Sequence, residues 1–136
     1  MKNLLLITGL LFLFSCSSFE NENPNALALQ GNWELKSYEG GIGGWATDMD
    51  TVDYTIELRV NGEMAEWYID DKVEIKYLIT PASEDDVLLK LDPIKDSNIP
   101  RVLYTLETDK MRIADSCYDC YSFYYIKRKV GTPSPQ

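Results

Sequence analysis

No histidine occurs among the 136 residues, and 13 lysines and arginines stand against 22 aspartates and glutamates. Without histidine there is no Ser-His-Asp triad, no Cys-His pair and no zinc site of the common His-containing kind. A formal charge of −9 leaves no basic stripe for the phosphates of DNA or RNA. Cysteine is scarce, with Cys16, Cys117 and Cys120 the only three. Long apolar runs are missing too: the longest, Leu4 to Phe14, falls short of the roughly 20 residues a helix needs to cross a bilayer. What remains is the length of one domain, with 45% apolar and 12% aromatic residues, enough for a core. These quantities bound a fold class. They do not name a reaction.

Met1-Lys2-Asn3 is a short charged start, followed by the apolar run and then Ser15-Cys16. A run of that length fits the apolar segment of a secretory signal peptide. It is apolar on every face, unlike an amphipathic core helix. Leu13-Phe14-Ser15-Cys16 resembles the lipobox of bacterial lipoprotein signal peptides, although Phe14 is bulkier than the residue usually found there. The resemblance implies cleavage before Cys16, acylation of its thiol, and a lipid-anchored protein of the cell envelope, at the outer membrane. Removing Lys2 makes the body still more acidic, so an anionic membrane surface would not hold it without the lipid.

Ser17 to Ala26 is polar, contains Pro24 and has no apolar period; it reads as a flexible tether. Gly131 to Gln136 reads as a frayed tail. The expected layout is a signal peptide at 1–15, a tether at 16–26, a folded domain at 27–129 and a disordered tail at 130–136.

Within the domain, alternation of period two recurs and no helical stripe appears. Val52 to Val60 is the clearest strand, with even positions apolar and odd ones polar, and Asn61-Gly62 follows as a hairpin turn. A turn centred there pairs Leu58 with Ala65, Ile56 with Trp67 and Tyr54 with Ile69, and sets Glu57 against Glu66. A three-residue loop at Asp70-Asp71-Lys72 then keeps Trp67, Ile75 and Tyr77 on one face. Further strands are expected at Asn32–Tyr38, Val87–Asp92, Arg101–Thr108, Met111–Asp115 and Tyr121–Lys129, with a tight turn at Asp109-Lys110. Eight antiparallel strands in sequence order close most readily into an all-β, up-and-down barrel without exposed edges. Such a barrel is filled by side chains or holds one small ligand.

Gly31-Asn32-Trp33, placed before the first strand, resembles the Gly-x-Trp signature of lipocalins and of lipocalin-like lipoproteins of Gram-negative bacteria. The resemblance implies that Gly31 and Trp33 plug one end of the barrel beneath a basic residue of the last strand. Arg128 is expected there over Lys127, because a planar guanidinium stacks better on an indole. The chain is shorter than typical lipocalins and shows no helix after its last strand, which leaves the ligand class open.

Candidate chemistry is sparse. Gly40 to Gly44 lacks the Gly-Lys-Ser/Thr ending of a phosphate loop; Trp45 beside it is either a lid over the open mouth or a rim tryptophan. Asp48, Asp50 and Asp53 lack the glycine and distal glutamate of a calcium loop, and read as a solvated acidic loop. Cys117-Tyr118-Asp119-Cys120 lies between strands instead of opening a helix, so it reads first as a small loop disulfide and second as two free thiols. Tyr54, Ile56, Trp67, Ile75, Tyr77, Tyr104 and Leu106 form the expected inward set, as core or as the lining of a cavity. Expected ligand contacts are Trp45, Tyr54, Ile56, Trp67, Tyr77 and Tyr104, for a small apolar or amphipathic molecule. The alternative is a filled barrel whose loops, with Trp45 and Tyr118, bind a protein or glycan. No cofactor, metal or catalytic residue is expected.

Overall fold

Asn23-Pro24 opens a helix for a local reason. The Asn23 side chain accepts from the Asn25 amide at 2.9 Å, and proline suits the first position of the helix α1 (Pro24–Leu29). This is a computed structural model, and it describes residues 23–83 and 85–129. The signal peptide, Cys16, most of the tether and the tail at 130–136 lie outside the described residues. The last residues of the expected tether, through Ala26, belong instead to α1, whose Leu29 is fully buried.

Nine strands follow among the described residues: β1 (Gly31–Gly40), β2 (Trp45–Asp48), β3 (Ile56–Asn61), β4 (Met64–Ile69), β5 (Lys72–Pro81), β6 (Leu89–Pro93), β7 (Arg101–Leu106), β8 (Lys110–Asp115) and β9 (Tyr121–Lys127). From β3 to β9 each strand pairs antiparallel with the next, and β1 pairs with both β3 and β9. The result is a closed, eight-stranded, antiparallel up-and-down barrel, the fold class that the alternation implies. The ninth strand, β2, folds back on the second half of β1.

The strand expected from Val52 begins only at Ile56. Asp48 accepts from the Asp50 amide at 3.0 Å and caps a 3-10 turn over Met49–Thr51, which carries the chain out of the sheet until Ile56. Tyr54 consequently precedes β3 and does not pair with Ile69.

The first tight turn also differs by one position. Its centre is Gly62-Glu63, with Gly62 at φ 61°, so Leu58 faces Trp67 and Ile56 faces Ile69. Displacement by a whole residue pair preserves every inward face. It also sets Arg59 opposite Glu66 and Glu57 opposite Tyr68, which removes the expected pairing of like charges. Asp70 and Asp71, both at positive φ, make the next turn in two residues, and a bulge between Trp67 and Tyr68 restores the register. Trp67 thus faces Ile75 and Ala65 faces Tyr77, as expected.

The buried core fills the barrel and includes Trp33, Leu35, Leu58, Leu91, Leu103 and Ile113. One end is closed by α1. Gln30 ties it to the β3–β4 turn, donating to the Gly62 carbonyl at 2.9 Å and accepting from its amide at 2.8 Å. Trp33 is fully buried beneath, and its Nε1 donates to the Leu29 carbonyl at 2.7 Å. Gly31 sits at φ 117°, a conformation that side chains disfavour, and a Cβ there would meet Lys127 Cε at 3.2 Å.

The cation over Trp33 is Lys127, not the expected Arg128. Lys127 is the register partner of Trp33, so both side chains point the same way, and its Nζ lies 5.0 Å from the indole and 3.2 Å from the Ala28 carbonyl. Arg128, one residue on, alternates to the outer face and pairs with the buried Glu57.

Candidate functional site in the barrel interior

At the end opposite α1, the interior turns polar. Pro100 precedes β7, and the first residue of that strand, Arg101, stands in register with Leu91 on β6 and Asp115 on β8. It therefore points inward, and it retains only 5% exposure. Its Nε donates to Asp115 Oδ1 at 2.9 Å. The guanidinium carbon lies 4.4 Å from the Trp67 ring centre, 4.3 Å from Phe123 and 5.6 Å from Tyr77. A desolvated cation against aromatic faces is held by the ring quadrupoles.

Four buried polar atoms nearby have no hydrogen-bond partner among the described residues: Arg101 Nη1, Trp67 Nε1, Tyr77 OH and Tyr125 OH. They come from β7, β4, β5 and β9. Buried polar groups are nearly always satisfied, so four in one interior call for an explanation. Burial pushes the Tyr77 phenol up and the Tyr125 phenol up to about 12, with the Arg101 charge pulling both partly back. The Trp67 indole also favours the Tyr125 phenolate slightly, without reaching hydrogen-bond geometry.

The sign of the resulting pH effect follows from linkage. Below pH 10 the Tyr125 phenol is neutral in both folded and unfolded chains, and its contribution is fully present. Between 10.0 and about 12 the unfolded chain ionises first, so stability falls as pH rises, by about 2–3 kcal/mol for this group. Urea denaturation at pH 9 and at pH 11.5 is expected to show that loss, and Tyr125→Phe to shrink it. An unchanged pH slope in the variant would contradict the burial argument.

The residues expected at a ligand site divide. Trp67 and Tyr77 lie against Arg101, and Ile56 is buried at the same end, opposite Ile69. The other three lie outside. Trp45 is 74% exposed and so not tucked against the rim; it starts β2, which lies beside the second half of β1 where β3 pairs with the first. Tyr54 precedes β3 and is 37% exposed, where the neighbouring Tyr38 pushes its phenol up. Tyr104 is 38% exposed because a bulge between Leu103 and Thr105 turns it outward, where Arg112 lies 5.5 Å from its ring. Leu103 and Leu106 take the inward places.

Cys117 and Cys120 are disulfide-bonded in the β8–β9 loop above Asp115. The end of β1 runs against this loop so closely that a Cβ on Gly40 would lie 2.3 Å from the Cys120 carbonyl oxygen. In the acidic region, Asp70 accepts from the Thr55 amide at 2.9 Å and Asp71 from Arg59 at 2.6 Å. No group of three potential ligands among the described residues is placed to hold a metal.

No sequence motif marks Arg101, Asp115 or Tyr125. Parity could have found Asp115, which shares the face of Ile113; Arg101 shares that of Leu103, but the bulge before Thr105 masks it.

No known protein family, curated protein or solved structure matches the chain. No helix among the described residues is long and apolar enough to cross a membrane.

Proposed function

We propose that this barrel binds one small amphipathic molecule in its interior at the end opposite α1, without chemistry, and that the chain is held in the cell envelope by acylation of Cys16. The observation that carries the binding reading is the set of four unpartnered polar atoms around Arg101. The packed core closes these atoms off, so a ligand whose polar end meets them and whose apolar part lies along Trp67, Tyr77 and Phe123 binds by parting those side chains. The envelope address rests on the lipobox resemblance.

A second reading, contact of the rim with a protein or glycan, is favoured by one observation. Ile42 and Tyr118 are 97% and 96% exposed on the two loops that meet at Gly40. Exposed aromatic and aliphatic tips are what an interface centre uses.

One experiment separates the two. Native mass spectrometry of the full-length protein from an envelope extract is expected to show an additional mass, lost on denaturation. A bare polypeptide mass, corrected for acylation and the disulfide, would turn the reading to the rim.

A further inference from the structure

The interior site has a charge balance that selects among polar ends, and this inference rests on the binding reading above. Arg101 is the sole inward-facing cation at the end opposite α1 among the described residues; Lys127, the other inward cation, lies at the α1 end against Ala28 and Trp33. The Arg101 charge is already matched. Asp115 shares the interior and takes the Nε hydrogen bond at 2.9 Å. A free carboxylate entering beside this pair would leave the interior with one uncompensated negative charge, an arrangement that burial penalises heavily.

The unpartnered groups point the same way. Arg101 Nη1 and Trp67 Nε1 can only donate, while the Tyr77 and Tyr125 hydroxyls can donate or accept. Every one of the four can therefore give a hydrogen bond, and only two can receive one. The complement to such a set is a group rich in lone pairs and free of net charge: the carbonyl of an ester, amide or ketone.

We infer that the interior site takes an uncharged, carbonyl-bearing amphiphile and rejects the corresponding free acid, with Asp115 as the residue that sets this preference. Arg101 and a tyrosine hydroxyl donate to the two lone pairs of the carbonyl oxygen. Asp115 acts through Arg101 by cancelling its charge.

The test uses a matched pair of probes, decanoic acid and methyl decanoate, titrated into the full-length protein at pH 7.5 and read by native mass spectrometry. The wild type is expected to retain the ester at least 10-fold more tightly than the acid. Asp115→Asn keeps the shape of the side chain and frees the Arg101 charge, so the preference is expected to reverse toward the acid. Far-ultraviolet circular dichroism confirms that the variant is folded. Should it fail to fold, the wild-type preference alone decides. Equal or acid-favouring binding by the wild type overturns the inference while leaving the binding site standing. An unchanged ester preference in folded Asp115→Asn overturns the role of Asp115 and with it the inference. Retention of neither probe overturns the binding reading itself.

Discussion

Trp33→Ala should cost the barrel about 3–5 kcal/mol, the range for deleting a large buried aromatic. The indole is fully buried under α1, so its removal leaves a cavity that the strand backbones cannot close. Two further contacts go with it. The Leu29 carbonyl loses the donor 2.7 Å away, and Lys127 loses the ring beneath its ammonium group. Trp33→Phe keeps most of the bulk but not the donor, and is expected to cost about 1–3 kcal/mol for the unsatisfied carbonyl and residual space. Urea denaturation followed by far-ultraviolet circular dichroism measures both. A loss under about 1 kcal/mol for Trp33→Ala would show that α1 closes the barrel without the indole.

The second large effect is expected at the other end, from Arg101→Met. The substitution removes a cation that is stacked between Trp67 and Phe123, and it strands Asp115 in the interior without its partner. Breaking one side of a buried ion pair typically costs about 3–5 kcal/mol, most of it the penalty for the charge left behind. Arg101→Met with Asp115→Leu removes both charges and substitutes apolar volume. This double variant is expected to regain most of the loss and to equal or exceed the wild type, because a buried pair contributes little net stability over an apolar replacement. A double variant no more stable than Arg101→Met would mean that the stacking on the rings, not the stranded carboxylate, dominates. The two substitutions form a cycle whose coupling energy reports the pair directly. If the wild type keeps its ion pair at a net cost in stability, the pair is retained for something other than folding. That outcome would accord with an interior that serves a ligand.

Several features of the barrel are legible in the residues alone. The inward places of Ile56, Trp67, Ile75 and Tyr77 follow from strict alternation, and the closed barrel follows from eight such strands in order. Alternation fails wherever a strand carries a bulge, because one extra residue reverses parity without leaving any mark in composition. Tyr104 illustrates the problem: Val102, Tyr104 and Leu106 read as one apolar face, whereas the bulge seats Leu103 and Leu106 inside and turns Tyr104 out. The same inversion hides Arg101, which by that parity reads as an outward charge. The last strand is ambiguous for a different reason, since Lys127 and Arg128 each end an apolar face; only the register with Trp33 decides between them. At the β3–β4 turn, Asn-Gly points to the right place but the wrong centre. The observed centre is consistent with cross-strand charges, with Arg59 meeting Glu66 instead of Glu57 doing so.

The seam between β1 and β9 has a mechanical consequence. From β3 to β9 the neighbours are joined by hairpins, whereas β1 and β9 lie near opposite ends of the chain and meet with Trp33 beside Lys127. Their pairing closes the largest loop in the fold, so folding bears its entropy before the ring is complete. Asn23 and Lys129 both leave from the closed end, beside the first hydrogen bonds of that seam. Tension applied through the two termini would therefore peel β1 from β9 one bond at a time, as a zip opens, instead of shearing the whole ladder together. A pull from one terminus alone would leave the seam unloaded and the Arg101 end of the barrel pointing away from the pulled terminus.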